Sequence, residues 1–184
     1  MVDLTLVGKV FGVSSGAEHR FSKAKKDYIT LIEGHGVEGD AHAGEYTRHR
    51  FLARRWSRIP NRRQVHIIPA ELFVDLCEAG HMVAPGELGE NITTQGLTLE
   101  PLPLGTKLHL GQSAVVELTG LRTPCVLIDR FQKGLRRRMV RAQGSEPKFK
   151  CGVLGVVTAG GQVSAGEAVS VETPRGTWLA LPAM

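Results

Sequence analysis

The chain has 184 residues, of which 42% are hydrophobic and 22% are charged, and this composition excludes a disordered chain. The length predicts a single domain over residues 1–184, because one hydrophobic core commonly serves about 100–200 residues. The net charge of +5 and the pI of about 9.4 favour anionic partners, whether phosphate, nucleic acid or an anionic cofactor, without choosing among them.

The first half of the chain alternates short strand patterns with glycine-rich turns. Residues 4–13 mix β-branched residues with glycines, and residues 28–33 alternate in polarity, so both are predicted strands. The second strand leads directly into residues 34–44, which contain four glycines and two histidines. The arginine-rich residues 48–63 show no period and are predicted to form a surface loop.

The second half of the chain predicts two helices among further short strands. A strand over 64–68 is followed by a helix over 70–79, whose apolar residues share one face and which ends at Gly80. A second, basic helix is predicted over 134–143. Further strand or edge segments are predicted over 98–103, 107–110, 114–119, 151–158 and 168–171. Together these segments predict a mainly β fold, a barrel or a sandwich, with a few short helices.

The three cysteines are widely spaced and form neither a CxxC pair nor an even disulfide framework. This spacing disfavours a metal finger or a secreted disulfide scaffold and favours a reducing compartment. The chain shows no basic region followed by a long apolar run at its start, and no stretch approaches the roughly 18 apolar residues of a membrane span. We therefore expect a cytoplasmic protein without a membrane partner.

Cys125 has the strongest local case for reactivity. Cysteine chemistry requires the thiolate, which neighbouring cations stabilise. Arg122 lies three residues before Cys125, at a strand-to-loop junction, and Pro124 fixes the backbone there. From the local sequence alone, the favoured interpretation is still a small buried hydrophobic residue, and a reactive thiol is the alternative. Cys77 lies on the predicted first helix and is interpreted as structural, whereas Cys151 would act as a second thiol only if the fold brings it near Cys125.

The glycine-rich residues 34–44 permit two interpretations. His35, Asp40 and His42 are residue types that bind zinc, but their spacing is not that of a zinc motif. The favoured interpretation is a tight turn in which Asp40 bonds its own backbone and the histidines face solvent. The glycines would also permit a backbone cradle for phosphate. The chain contains neither the nucleotide-binding pattern GxxxxGK[ST] nor the serine hydrolase pattern GxSxG.

Eight segments, weak individually and specific together, span nearly the whole chain. They are FSKA at 21–24, GVEGDAHAG at 36–44, RQVH at 63–66, PGELGENI at 85–92, LPLGT at 102–106, TGLRTPC at 119–125, GVLGVV at 152–157 and GGQV at 160–163. In this order they resemble the MOSC domain, a family named after the C-terminal domain of molybdenum cofactor sulfurases.

The resemblance implies a β-barrel-like MOSC fold and a functional cysteine at Cys125, which would carry sulfur as a persulfide or ligate molybdenum. The implied cofactor is the anionic molybdenum–pterin cofactor, and pyridoxal phosphate binding is a further association of the family. Some members reduce N-hydroxylated compounds. This chain carries no aminotransferase-like sulfurase portion, companion β domain, iron–sulfur module or flavin module, so the resemblance implies that a sulfur donor protein or redox proteins would act as separate partners.

The resemblance also implies residues that hold the cofactor. Family members bind the pterin's phosphate with basic and polar side chains, and the matching candidates here are Arg122, Asn91 and, more weakly, Thr119. Residue type alone adds Asp40 and His42 at the cofactor site and, together with Glu90, in proton transfer.

The alternative is a basic module that binds anionic ligands or nucleic acid without catalysis. Its basis is the two arginine runs, residues 48–63 and 136–141, although a run of this kind is usually a solvated face. The aromatic residues are too few and scattered for a base-stacking platform, so nucleic acid is the less favoured partner.

Overall fold

The computed structural model describes residues 6–47, 59–143 and 146–184. These ranges form thirteen strands and three short helices, which confirms the mainly β prediction. The strands are β1 (Leu6–Ser15), β2 (Ala24–Lys26), β3 (Tyr28–Ile32), β4 (Gly36–Val37), β5 (Val65–Pro69), β6 (Ile92–Gln95), β7 (Lys107–Leu110), β8 (Ala114–Leu121), β9 (Val140–Gln143), β10 (Glu146–Phe149), β11 (Val153–Ala159), β12 (Gly161–Ser164) and β13 (Ala168–Glu172). The helices are α1 (Glu71–Glu78), α2 (Leu127–Phe131) and α3 (Leu135–Arg138).

Seven of these strands close into a barrel. They follow the order β13, β7, β8, β11, β5, β6 and β1, and β1 pairs back with β13 to complete the ring. The pair β5 and β6 is parallel, and the other neighbours in this ring are antiparallel, so the barrel is mixed. Closure pairs the strand edges with one another. The barrel alternative of the sequence prediction is therefore confirmed.

The register of the strands fills the barrel with aliphatic side chains. Leu108 of β7 lies opposite Val116 of β8, and Leu110 lies opposite Ala114; all four are buried. Because alternate side chains of a strand point to opposite faces, this register directs one apolar set from each strand to the interior. Each buried leucine or valine stabilises the fold by about 1.5–3 kcal/mol relative to an exposed one.

A second apolar cluster lies against the outer face of the barrel wall. In β5, Ile67 belongs to the barrel core, whereas the next residue, Ile68, belongs to this second cluster. The cluster also contains buried residues of the three helices, and it includes Cys151 while Cys125 packs against it. The two cysteines are thus held on the same side of the barrel. No helix in the described part of the chain is long and apolar enough to cross a membrane.

The predicted basic helix over 134–143 is wrong. The helix α3 ends at Arg138, and the chain then continues as β9, which pairs antiparallel with β10. The arginine-rich sequence offers no long apolar stripe to stabilise a longer helix, whereas the β9–β10 ladder satisfies the backbone groups of this segment. Most of the predicted loop over 48–63, namely residues 48–58, lies outside the described residues.

The predicted edge segment over 98–103 is a turn rather than a strand. The amide of Leu102 donates to the carbonyl of Leu99 (3.1 Å), and Pro103 forms an isolated bridge with Ala180. Leu99 and Leu102 are buried in the barrel core, which explains why these apolar residues resemble a strand in the sequence.

Candidate functional site

Cys125 lies in the short connection between β8 and α2. The strand ends at Leu121, and Cys125 precedes the first residue of α2 by two positions. The carbonyl of Cys125 accepts a hydrogen bond from the amide of Ile128 (3.2 Å), and Pro124 before it is buried. The Cys125 side chain is partly exposed. The connection therefore leaves the thiol within reach of solvent.

Arg122 brings a cation into this connection. Its backbone amide donates to the carbonyl of Gly152 (3.1 Å), which extends the pairing between β8 and β11 beyond the end of β8. Its Nη1 donates to the carbonyl of Leu88 (3.2 Å) and lies 3.6 Å from Sγ of Cys151. No carboxylate among the described residues forms a salt bridge with Arg122. The guanidinium is therefore half-buried and forms no salt bridge, although its charge acts on the buried carboxyl of Glu90 and opposes the rise in the pKa of that group.

Cys151 is the second thiol at this position. It is fully buried, and burial raises its pKa while the charge and hydrogen bond of Arg122 act in the opposite direction. Both thiols belong to the second apolar cluster, in which Cys151 is buried and against which Cys125 packs, and Cys125 acts to raise the pKa of Cys151. Arg122, Cys125 and Cys151 are named here the cysteine corner. The fold thus places Cys151 on the same side of the barrel as Cys125, and its role as a second thiol stays a prediction.

One further cation, Arg63, and one neutral histidine, His66, lie near Arg122. Burial, and after it the charge of Arg122, lowers the pKa of Arg63. His66 is buried with Nε2 2.8 Å from the carbonyl of Cys151, and burial, followed by the charge of Arg122, holds its pKa well below the ordinary range. His66 is therefore neutral at pH 7. Sequence reasoning assigned no role to Arg63 or His66, although both lie in the segment RQVH that contributed to the family resemblance.

A guanidinium on α3 supports the same connection. Nε of Arg136 donates to the carbonyl of Pro124 (3.2 Å). The backbone amide of Arg136 donates to Oδ1 of Asp129 (2.9 Å). The Arg136 side chain is exposed to solvent on its other side. The peptide before Cys125 thus follows Arg122 in the sequence and is bonded by Arg136 from α3.

Asp40 lies at the centre of a closed polar network. Its carboxylate is fully buried and pairs with Nζ of Lys23 (2.9 Å), while Nδ2 of Asn91 donates to it at 3.0 Å. Backbone amides of Gly16 (3.2 Å) and His42 (3.0 Å) also donate. Burial opposes ionisation of Asp40, but the hydrogen bonds from His42 and the charge of Lys23 outweigh it and hold the pKa well below its usual range. We name Lys23, Asp40 and Asn91 the carboxylate network.

Asn91 and Thr119 are buried with their polar atoms bonded to protein groups. Oδ1 of Asn91 accepts from the amide of His66 (3.2 Å), and Nδ2 donates to the Ser14 carbonyl (3.3 Å) as well as to Asp40. The Thr119 hydroxyl lies 2.6 Å from the Arg62 carbonyl and 3.1 Å from that of Leu154. In this arrangement both side chains hold backbone segments together. Their direct contact with a cofactor stays a prediction.

Glu90 is a buried carboxyl with an incomplete set of partners. Oε1 accepts from the amide of Gly86 and from the hydroxyl of Thr93 (3.2 Å), whereas Oε2 has no partner among the described residues. Burial raises the pKa of Glu90. Glu90 therefore binds its proton more tightly than an exposed glutamate, and its bonds to Gly86 and Thr93 fold the turn that precedes Asn91.

The histidine–glycine segment does not form a metal site. Among the described residues, no group of three or more His, Cys, Asp or Glu side chains could hold a metal ion. Oδ1 of Asp40 accepts from the amide of His42, two residues on, as the tight-turn interpretation requires. The His42 side chain lies with Nδ1 3.4 Å from Asp40 and is about 39% exposed. The zinc interpretation thus finds no donor set here.

The prediction that Cys77 is structural is wrong. The buried face of α1 consists of Leu72 and Leu76, which are four residues apart, and Cys77 follows one position further round the helix. Its side chain is exposed, with Sγ 3.4 Å from Sδ of Met82. A shift of one residue on a helix turns a side chain by about 100°, which is enough to leave the buried stripe.

A cavity of about 600 Å³ opens beside the second apolar cluster. Its lining combines residues 20–24 with residues of α2 and includes two arginines, Arg20 and Arg130. The rings of Phe21 and Phe131, also in the lining, lie 5.5 Å apart and pack against the same cluster as Cys125. Arg20 is paired with Glu18 at 2.7 Å. The cavity therefore offers an aromatic wall with a basic rim on the side of the barrel that carries the cysteine corner.

The MOSC domain family model matches residues 39–170 of this chain. The chain belongs to the MOSC domain family. This confirms the resemblance drawn from the eight sequence segments. The match includes Asp40, Asn91 and all three residues of the cysteine corner. No curated protein sequence is significantly similar to this one.

Solved structures share the fold. The YuaD protein from Bacillus subtilis superposes with a TM-score of 0.75 at 23% sequence identity, covering 92% of this chain and 98% of that one. YiiM from Escherichia coli gives a TM-score of 0.63 at 23% identity, covering 95% and 73%. YiiM from Geobacillus stearothermophilus gives 0.59 at 19% identity, covering 95% and 78%. At these identities the likeness shows the MOSC fold and no particular activity.

Proposed function

We propose that this MOSC protein carries sulfur as a persulfide on Cys125. The observation that carries the proposal is the position of Arg122, whose guanidinium lies 3.6 Å from Sγ of Cys151 and forms no salt bridge with a carboxylate of the described residues. A cation in this state stabilises an anionic sulfur, and both a thiolate and a persulfide are anions at neutral pH. The partial exposure of Cys125 leaves its sulfur within reach of a donor protein.

The surrounding cations support an anionic species at Cys125. Arg136 donates to the Pro124 carbonyl from one side, and the pKa of Arg63 is lowered by burial and then by the charge of Arg122. An anion between such groups relieves their repulsion, because opposite charges at short range attract strongly where water is partly excluded. The proposed transfer places the terminal sulfur of a donor persulfide on the Cys125 thiolate and leaves the donor as a thiolate.

The second candidate function is binding of the molybdenum cofactor, with Cys125 as the metal ligand. The donor chemistry fits: molybdenum bound by sulfur-rich ligands accepts a further thiolate, and Cys125 is partly exposed. Arg122 and Arg63 would hold the anionic phosphate of the pterin, and the 600 Å³ cavity gives room nearby. A bound cofactor would supply two-electron redox chemistry, which with separate redox partners includes reduction of N-hydroxylated compounds.

Asp40, Asn91, His42 and Thr119 support this site by position in either function. Asn91 joins the amide of His66 to Asp40, and His66 in turn contacts the carbonyl of Cys151. A continuous set of hydrogen bonds thus connects the carboxylate network with the cysteine corner. We propose that these residues fix the wall against which the reactive sulfur lies.

Loading with a persulfide donor tests the proposal directly. The wild-type protein is treated with a persulfide donor and analysed by intact mass spectrometry and peptide mapping. We expect one added sulfur atom on the peptide that contains Cys125, and none on that peptide in Cys125→Ser. Molybdenum content of protein purified from a host that makes the cofactor tests the second candidate with the same two proteins.

Cys77→Ser provides the matched control, because Cys77 is more exposed than Cys125 and its sulfur bonds to Met82 rather than to a cation of the described residues. It should load Cys125 as the wild type does. Equal sulfur and equal molybdenum in wild type and Cys125→Ser would contradict both candidate functions. Anion binding that disappears in Arg137→Ser with Arg138→Ser, while Cys125→Ser leaves it unchanged, would instead favour the basic binding module.

A further inference from the structure

The second thiol of the cysteine corner has no role in simple sulfur carriage. Cys151 is fully buried, whereas Cys125 is partly exposed and Cys77 is exposed. A reagent from solution therefore reaches Cys125 before Cys151. The residue that Cys151 can react with is the one packed in the same cluster, namely Cys125 and whatever sulfur it carries.

We propose that Cys151 displaces the sulfur carried by Cys125, which closes an internal disulfide and releases hydrogen sulfide. The inference rests on the proposed persulfide function and adds its second step. It assigns Cys151 as a catalytic residue and hydrogen sulfide as a product. The displaced group is the terminal sulfur of the persulfide.

The strand register brings the two cysteines to the same place. Leu121 of β8 pairs with Val153 of β11, and the amide of Arg122 donates to the Gly152 carbonyl. Extended by two residues, this antiparallel register would set Cys151 opposite Thr123, two residues from Cys125. In the structure the ladder ends at Arg122, because the amide of Thr123 donates to the Met184 carbonyl (2.9 Å). Diagonal neighbours of this kind lie about 7–8 Å apart in a regular ladder.

Disulfide formation needs the two Cβ atoms about 3.5–4.5 Å apart, so a regular ladder would have to close by a few ångströms. Cys151 is the fixed partner. Gly152 after it has φ of 76°, and a side chain there would collide with the Ile67 backbone, so this backbone is seated tightly on β5. Cys125 lies in an irregular connection before a five-residue helix, where an adjustment of this size disrupts few ladder bonds.

Arg122 assists the attack. Its Nη1 lies 3.6 Å from Sγ of Cys151 and stabilises the negative charge that forms on this sulfur as the S–H bond breaks. A disulfide carries no charge, so the guanidinium favours the anionic species before the reaction and does not hold the product. It is then free to attract the next anionic donor.

The step balances without an external oxidant. The S–H bond of Cys151 breaks, a bond forms between the two cysteine sulfurs, and the bond from Cys125 to the terminal sulfur breaks. The terminal sulfur is reduced to the level of sulfide, takes the Cys151 proton and leaves as hydrosulfide, which gains a second proton from water as hydrogen sulfide, while the two cysteine sulfurs are oxidised to a disulfide. A dithiol reductant, either a small molecule or a thioredoxin-like protein, restores both thiols.

The test follows persulfide-loaded protein over time after removal of the donor. Wild type and Cys77→Ser should release one sulfide per loaded chain, and their mass should settle two hydrogens below that of the reduced protein. Peptide mapping should join the Cys125 and Cys151 peptides, and a small dithiol should separate them. Cys151→Ala should load Cys125 normally but release sulfide slower by about a factor of ten or more.

The outcomes separate the two proposals. If Cys125 loads but Cys151→Ala releases sulfide at the wild-type rate, or if the wild-type map contains no peptide joining the two cysteines, the displacement step is wrong and sulfur carriage stands. If Cys151→Ala takes up no sulfur on Cys125, and the wild type neither carries added sulfur nor releases sulfide, sulfur carriage itself fails and the displacement step with it. The wild-type map decides the matter even if Cys151→Ala does not fold, because it needs no variant.

Discussion

The carboxylate network and the cysteine corner are neighbouring polar groups that differ in one respect: the buried charge is paired in the first and forms no salt bridge in the second. In the carboxylate network, Asp40 is paired with Lys23 and takes hydrogen bonds from Asn91 and two backbone amides. In the cysteine corner, Arg122 bonds to a carbonyl and a thiol and forms no salt bridge with a carboxylate of the described residues. Buried charges are costly unless they are paired, so the first arrangement is that of a structural element and the second leaves a cation for an incoming anion.

The largest expected effect comes from breaking the carboxylate network. Asp40→Asn should lower the free energy of unfolding by about 3–5 kcal/mol, because it leaves the buried Lys23 without its partner. Chemical denaturation measures this change. The double variant Lys23→Met with Asp40→Asn removes both charges and should recover part of the loss. Equal stability of wild type and Asp40→Asn would show that the pair is not structural.

The same network sets the response to acid. The pKa of Asp40 is lowered in the folded protein from its unfolded value of 3.8, so its stabilising contribution is complete above about pH 4 and is lost as pH falls below that value. Each unit of pKa depression corresponds to about 1.4 kcal/mol. Denaturation curves between pH 5 and pH 2, in steps of about one unit, should show a steeper loss of stability in wild type than in Asp40→Asn. Parallel curves for the two proteins would contradict this assignment.

A smaller effect is expected from removing the cation of the cysteine corner. In a Cys77→Ser background, Arg122→Gln should slow alkylation of Cys125 at neutral pH by about tenfold, because the guanidinium no longer stabilises the thiolate. Arg138→Gln is the matched control, since Arg138 is exposed on α3 and should leave the rate unchanged. Alkylation of Arg122→Gln at the wild-type rate would mean that Arg122 does not activate the thiol.

These comparisons show which parts of the molecule the sequence could predict. The strands of the barrel follow from local alternation, as in Leu108 and Leu110 of β7, and the nearness of Arg122 to Cys125 follows from three residues of chain. The contact between Arg122 and Cys151 depends on the register of β8 against β11, across 29 positions of sequence. No local pattern sets that register, so Cys151 stayed a conditional candidate.

The sequence also could not show which polar side chains form hydrogen bonds within the protein and which remain available to bind a cofactor. Asn91 and Asp40 are residue types that bind cofactors, and the family resemblance supported that role. In the structure their polar atoms bond to each other, to Lys23 and to backbone groups that come from distant segments. Only the folded chain brings these partners together. The basic residues 134–143 are predicted to form a helix because of their local sequence, but the second half of this segment pairs with β10 as a strand.

The smallest expected effect concerns the cysteine that lies outside the corner. Cys77→Ser should change the free energy of unfolding by no more than about 0.5 kcal/mol, because Cys77 is exposed and contacts Met82 through sulfur alone. Cys151→Ser should cost about 1–3 kcal/mol, since it buries a hydroxyl in an apolar cluster. Thermal or urea denaturation of the two variants side by side gives the comparison. A Cys77→Ser protein as unstable as Cys151→Ser would mean that Cys77 packs into the fold, which would remove it as the neutral background for every reactivity measurement on Cys125.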